Sequence, residues 1–213
     1  MLVGERMSKP VISVSPDLPI NEALNVMKRE NIRRTPVIQF GKLVGIVSDI
    51  DLVNASPSQA TSLSVWELNY LLSKITVKDV MTRNVFTITE DIPIENAARI
   101  MVDKRIGGMP VMRGEEVVGI ITETDIFKIF LELTGARETG VRASVVILNE
   151  PGGLAKLTKA IADQGGDFIS FGQFCGDDPS NRMVTFKVAG LDQNQVAQII
   201  TPFVLRITDI RVC

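Results

Sequence analysis

Histidine is absent from the chain. Its absence removes Ser-His-Asp and Cys-His catalysis, together with the commonest transition-metal ligand. Cysteine is scarce, and Cys175 and Cys213 have no metal-like spacing; each reads as a small apolar filler, not a reactive thiol. Basic charge is not in excess, because 23 Lys and Arg face 25 Asp and Glu for a net charge of -2. The basic face that phosphate-backbone binding needs is missing, so nucleic acid is a poor first candidate. No apolar run approaches the roughly 18 residues of a membrane span, so no membrane partner is expected. The opening Met1-Leu2-Val3-Gly4-Glu5-Arg6 has no apolar signal core, and a cytoplasmic location is the default. No catalytic residue and no metal ligand is assigned.

The remainder is an ordinary globular composition, 213 residues with 45 % hydrophobic and 23 % charged side chains. Its main feature is an internal repeat. Met7–Leu52 aligns without a gap on Met81–Ile126, at a spacing of 74 residues. Identical pairs include Met7/Met81, Asp17/Asp91, Pro19/Pro93, Ala23/Ala97, Met27/Met101, Pro36/Pro110, Gly45/Gly119 and Asp51/Asp125. Each copy reads as strand, helix, strand, strand, helix. Val11–Val14 and Val85–Ile88 alternate like strands. Ile20, Ala23, Leu24 and Met27, and in the copy Ile94, Ala97, Ala98 and Met101, keep the spacing of one buried helix face. Thr35–Phe40 and Leu43–Val47, then Met109–Arg113 and Val117–Ile121, are hairpin strands. A helix follows directly after Ser48 and after Thr122. One such unit buries too little apolar surface alone, so the copies are expected to pack sheet to sheet.

Val65–Ile75, with Leu68, Leu71 and Leu72, reads as a linker helix lying on the pair. From Val141 the order becomes β-α-β-β-α-β, the ferredoxin-like arrangement. Its strands are Val141–Leu148, Phe168–Phe174, Met183–Val188 and Val204–Val212, and its helices Leu154–Asp163 and Gln193–Ile200. The boundary is placed at Gly135–Gly140. The expected domains are residues 1–60, a linker helix 61–79, residues 80–135 and residues 141–213.

The recurring polar phrase closes each repeat, as Gly45-Ile46-Val47-Ser48-Asp49-Ile50-Asp51 and Gly119-Ile120-Ile121-Thr122-Glu123-Thr124-Asp125. One reading is a helix cap, with Ser48 or Thr122 capping and the acid favouring the positive helix end. Another is a ligand cleft, in which the aspartate accepts from two ribose hydroxyls while the hydroxyl residue and free helix N–H groups meet a phosphate. The backbone before Pro36 and Pro110 would then line an adenine slot. The two readings are compatible, and recurrence of the whole set favours the second. The copies differ at Arg33-Arg34 against Gly107-Gly108. An arginine pair either neutralises a polyphosphate or lies on a solvated surface, whereas glycines allow close backbone approach.

With Met7-Ser8-Lys9 and Val80-Met81-Thr82 opening the copies, Thr35-Pro36-Val37 and Met109-Pro110-Val111 inside them, and Gly-x-x-Ser/Thr-x-x-Asp closing both, residues 7–52 and 81–126 resemble a pair of CBS domains. The resemblance implies AMP, ADP, ATP or S-adenosylmethionine as a regulatory ligand in one or both clefts. It carries the nucleotide-binding role to Ser13, Arg34, Thr35, Pro36, Val37, Ser48 and Asp51, and to Thr87, Gly108, Met109, Pro110, Val111, Thr122 and Asp125. Residues 141–213 resemble an ACT domain on the loop Asn149-Glu150-Pro151-Gly152-Gly153-Leu154. That resemblance implies amino-acid binding by Asn149, Gly152, Gly153 and Leu154. The plainer alternative is a helix cap at Asn149 followed by a helix-starting Pro151. A CBS pair followed by ACT, with the linker run Ala60–Tyr70, is similar to acetoin-utilisation regulators of the CBS–ACT type.

The fold class that follows is α/β (α+β), with two CBS units as a pseudo-symmetric pair and a ferredoxin-like ACT domain. The function that follows is a non-catalytic regulator sensing an adenosine-containing small molecule, with amino acid as a second input. A homodimer is expected by resemblance, and the regulated target protein is unknown. The rival reading is an assembly subunit with no small-molecule ligand.

Overall fold

A computed structural model of the chain describes residues 1–55 and 74–213. The linker run beginning at Val65 and the stretch Ala60–Tyr70 fall outside the described residues. The chain divides into two compact units, Met1–Ile126 and Phe127–Cys213.

In the first unit, repeat one contributes α1 (Val3–Arg6), α2 (Ile20–Arg29), β1 (Arg34–Gln39), β2 (Lys42–Ser48) and α3 (Asp49–Asn54). Repeat two contributes α4 (Val77–Val80), β3 (Ile88–Thr89), α5 (Ile94–Lys104), β4 (Gly108–Arg113) and β5 (Glu116–Thr122), and α6 (Glu123–Leu133) follows. The helical faces are those the spacing predicts: Ile20, Ala23 and Met27 are buried on α2, and Ile94, Ala97 and Met101 on α5. β1–β2 and β4–β5 are antiparallel hairpins in matching register, Val37 opposite Gly45 and Val111 opposite Gly119. The expected strands Val11–Val14 and Val85–Ile88 are shorter than their alternation suggests. Repeat one keeps a single parallel bridge, Val14 to Val37, and repeat two only Ile88–Thr89. The chain there crosses one edge of a hairpin, which leaves room for a brief pairing.

The repeats exchange their opening segments. Val3 N and Gly4 N donate to Ile92 O and Glu90 O of repeat two, while Val77 N and Lys78 N donate to Leu18 O and Pro16 O of repeat one. Each partner pair lies 74 residues from its counterpart, so the exchange is reciprocal. It continues into the hairpins, where Ser8 bridges to Ile120 and Thr82 to Ile46. Consequently Val77 and Met81 belong to the core of repeat one, beside Val14, Met27 and Leu52. The glycines of the closing phrase explain themselves here. A Cβ on Gly45 would lie 2.5 Å from Met81 Sδ, and one on Gly119 would collide with Met7 Sδ. The two identities Met7/Met81 and Gly45/Gly119 are therefore each other's partners across the repeats.

Overpacking at such a contact costs about 1–3 kcal/mol. Gly119→Ala is expected to lower the urea midpoint accordingly. Met7→Ala combined with it should cost less than the sum of the two single changes, whereas strict additivity would show that the glycine makes no room for the sulfur.

The second unit follows the β-α-β-β-α-β order. Its elements are β6 (Val141–Leu148), α7 (Gly153–Asp163), β7 (Asp167–Cys175), β8 (Asn181–Ala189), α8 (Gln193–Ile200) and β9 (Arg206–Val212). The antiparallel sheet runs β7-β8-β6-β9. Alternate residues Val141, Ala143, Val145 and Ile147 meet Leu157 and Ile161 of α7 and Val196 and Ile200 of α8. Asp192 caps α8, its side chain accepting from Gln195 N at 2.9 Å. Lys187 is only 4 % exposed, and its ammonium donates to Gly135 O and Glu138 O, both at 2.9 Å. Two expectations are corrected. Asn149 does not cap α7: the cap position is Gly152, at φ 85°, and the Asn149 amide donates to Pro179 O instead. A left-handed residue is needed where the loop turns into the helix, and glycine supplies it. Cys175 and Cys213 are exposed, not core fillers; both sit at strand ends, where the sheet gives no cover.

Candidate functional site

Both closing phrases pair the acid with the hydroxyl residue three positions earlier, and Ser48 forms the expected cap, its Oγ accepting from Asp51 N at 3.3 Å. Ser48 precedes α3, and Asp51 Oδ2 accepts from Ser48 N at 2.9 Å and from Ser48 Oγ at 2.6 Å. Thr122 precedes α6, and Asp125 Oδ2 accepts from Thr122 N at 3.0 Å and Thr122 Oγ1 at 2.8 Å. The surroundings then diverge. Asp51 is half-buried and lines a cavity of about 310 Å³. Asp125 is 4 % exposed, and its Oδ1 accepts from Ser8 Oγ at 3.3 Å.

The cavity at Asp51 is built by both repeats, as a consequence of the exchanged segments. Repeat one supplies Arg34, Ile46, Val47, Ser48 and Asp51. Repeat two supplies the run after α4, from Thr82 through Asn84, Val85 and Phe86, and the run after α5, from Arg105 through Ile106, Gly107 and Gly108. Thr82 is held there from two sides. It exchanges backbone hydrogen bonds with Ile46, at 2.9 Å each way. Upstream, α4 is fixed by Asp79, whose carboxylate accepts from Thr76 N and Thr76 Oγ1; those bonds hold Asp79 below the usual aspartate range. Phe86 is half-exposed at the mouth, with Lys104 Nζ 5.5 Å from its ring centre.

Among the nucleotide candidates named from the sequence, Arg34, Ser48, Asp51 and Gly108 come together in this cavity. Thr35, Pro36, Val37, Met109, Pro110 and Val111 are buried strand residues, and the Thr35 hydroxyl donates to Ile12 O at 2.5 Å. Ser13 and Thr87 are exposed and are not among its lining residues. Thr122 and Asp125 lie at the other closing phrase. Arg34 and Gly107-Gly108 meet at this cavity: a Cβ on Gly107 would run into the Arg34 guanidinium, and one on Gly108 would lie 3.0 Å from Arg34 Cδ; Gly108 also borders its own repeat's closing phrase, paired with Thr122. Thr82, Val85, Phe86, Arg105 and Ile106 were not legible as site residues, because no spacing within one repeat discloses an exchange between repeats.

In the second unit, Gly153 joins Glu150, Lys156, Phe203 and Leu205 around a cavity of about 190 Å³. Glu150 and Lys156 approach to 3.5 Å. Asn149, Gly152 and Leu154 are not among its lining residues. No helix among the described residues is long and apolar enough to cross a membrane.

The family model for the CBS domain matches residues 3–58 and 77–132. The two matches are displaced by the same 74 residues as the exchanged hydrogen bonds. Among curated proteins, the chain is 34 % identical over 131 residues to L-aspartate semialdehyde sulfurtransferase of Methanocaldococcus jannaschii, covering 61 % of this chain and 23 % of that protein. It is 36 % identical over 126 residues to inosine-5'-monophosphate dehydrogenase of the same organism, covering 58 % and 22 %. The chain thus spans under a quarter of the length of either enzyme. Among solved structures, a CBS domain pair in complex with 5'-methylthioadenosine and S-adenosyl-L-methionine aligns at TM-score 0.52 and 33 % identity, covering 65 % of this chain and 98 % of that one. A candidate acetoin utilization protein from Vibrio cholerae aligns at TM-score 0.53 and 27 % identity, covering 65 % and 96 %. The protein CBSX2 in complex with AMP aligns at TM-score 0.52 and 26 % identity, covering 62 % and 97 %.

Proposed function

Because the chain belongs to the CBS-domain family, through both of its repeats, we propose that it is a regulatory protein that senses an adenosine-containing ligand in the cleft at Asp51. The CBS pair is itself non-catalytic. Similar pairs hold S-adenosylmethionine and methylthioadenosine, or AMP. The observation that carries the reading is the position of Asp51: a helix-capping carboxylate, open to a 310 Å³ cavity with apolar walls at Val85, Phe86 and Ile106. In this reading the carboxylate takes the ribose hydroxyls, Ser48 and Thr82 flank them, and the base lies against the apolar wall. Asp125, closed over by Ser8, is the weaker candidate.

The second unit is read as an ACT-type module that adds an amino-acid input or an assembly contact. Its element order and the glycine turn at Gly152-Gly153 support that reading. Its α-carboxylate site would use the N–H groups at the start of α7. Homodimerisation is supported by Phe127 and Phe130, exposed at helical spacing on α6. The same two residues favour the rival reading of an assembly subunit without a ligand.

Thermal unfolding of the full chain with adenosine, AMP, ADP, ATP, S-adenosylmethionine and a panel of amino acids separates the two. A ligand that binds only the folded state raises stability by about 2.7 kcal/mol at a hundred times its Kd. At least one adenosine compound should raise the midpoint; no response to any of them at millimolar concentration would leave the assembly reading.

A further inference from the structure

We propose that Phe40, at the tip of the β1–β2 hairpin, docks into the cavity of about 190 Å³ on the second unit of another copy of this chain. The chain then assembles through a knob and a socket that it carries itself. The inference does not depend on the adenosine reading, and the contact is separate from the one at α6.

Gln39 pairs with Lys42 across a two-residue turn, Phe40-Gly41, whose residues both have positive φ, 50° and 77°. Such a turn matches the twist of a hairpin and favours Asn, Asp or Gly. A bulky residue is strained there, because its Cβ crowds the following carbonyl. Phe40 accepts that strain without burying its ring, which is 96 % exposed. The matching residue of repeat two is Gly114, which makes its own turn at φ 61° with no side chain to strain. An aromatic ring held in water on a strained backbone contributes nothing to the fold of one chain, whereas a contact made in an assembly accounts for it. The two hairpin tips also stand together, with Lys42 Nζ 3.0 Å from Glu115 Oε2. The knob therefore arrives with a base and an acid near it.

The socket matches the knob in size and in charge. Ile147, Leu148, Phe203 and Leu205 give it apolar walls, and an apolar cavity of about 150 Å³ already takes a benzene molecule. Leu148, Phe203 and Leu205 are themselves exposed, so an incoming ring would remove apolar surface from water on both partners. Glu150 and Lys156 line the same cavity, 3.5 Å apart and both exposed. A docking tip can set Lys42 against Glu150 and Glu115 against Lys156. Exposed charges of this kind fix orientation more than affinity; the ring supplies the affinity. Because knob and socket are different surfaces, copies either exchange both contacts and close as a pair, or pass one contact on and grow.

Analytical ultracentrifugation of the full chain, from micromolar to submillimolar concentration and without added ligand, tests the contact. Wild-type protein should self-associate, and Phe40→Gly should weaken that association about tenfold or more, as loss of a central aromatic anchor does. The thermal midpoint of dilute Phe40→Gly should stay level or rise, because glycine fits the left-handed turn; the loss is then not one of folding. If α6 already holds a dimer, Phe40→Gly should stop at that dimer while wild type goes further. Leu205→Asp, which puts a charge on the wall of the socket, should weaken association to a similar degree. An equimolar mixture of the two variants should recover part of it, since Phe40→Gly keeps the socket and Leu205→Asp keeps the knob. Phe40→Gly associating as tightly as wild type would overturn the proposal, as would a mixture no more associated than its separate components. A wild-type chain that stays monomeric throughout would leave the knob and the cavity to other occupants and overturn it too.

Discussion

Asp51→Ala is expected to weaken AMP binding by about 100-fold or more, since hydrogen bonds to a charged group contribute about 1.5–3 kcal/mol each and a ribose offers two hydroxyls. The carboxylate has capacity to spare for them, because its bonds among the described residues, from Ser48 N and Ser48 Oγ, both fall on Oδ2. Stability should fall far less than affinity. Asp51 is half-buried on a short helix, and losing a helix-end side chain of this kind costs roughly 1 kcal/mol. Calorimetric titration beside urea unfolding checks both halves. Wild-type affinity for AMP in the variant would show that the carboxylate is a cap and nothing more.

Asp125→Ala should give the opposite division. Its carboxylate is buried and accepts from Thr122 N, Thr122 Oγ1 and Ser8 Oγ. Truncation removes the acceptor of the two half-buried Thr122 donors, while the exposed Ser8 hydroxyl can turn to water; a buried donor left unsatisfied costs about 1–3 kcal/mol. A loss of about 2–4 kcal/mol is expected once partial rehydration is allowed for. AMP affinity at Asp51 should stay within about threefold, since separated sites couple weakly. Urea midpoints measure the first and calorimetry the second. A variant as stable as wild type but unable to bind AMP would reverse the roles assigned to the two aspartates.

Much of the fold was legible because local signals agreed. The spacing of Ile20, Ala23 and Met27 fixed the buried face of α2, and the β-rich runs around Gly41 and Gly114 gave the hairpins to within a residue or two. Val11–Val14 misled, since alternation reports which faces are buried and not whether a neighbouring strand runs long enough to pair. Asn149 misled similarly: Asn is a good cap by type, but the glycine at 152 could adopt the left-handed turn that the helix start required. The candidate site was only half legible. Ser48, Asp51 and Arg34 carry their chemistry in their own side chains. Thr82, Phe86 and Arg105 acquire theirs from the exchange of Val3–Ser8 for Val77–Thr82, a three-dimensional fact carried by backbone bonds. The difference between the copies, Arg33-Arg34 against Gly107-Gly108, reads in sequence as a difference between two clefts; in the folded chain Arg34 and Gly107 also meet each other across the repeats.

The most direct test is a crystal structure of the full chain grown with AMP. The account predicts a nucleotide bounded by repeat one and repeat two, its ribose hydroxyls on Asp51 and its phosphate toward Arg34 and Arg105. A nucleotide seated at Asp125 with the Asp51 cavity empty would contradict it.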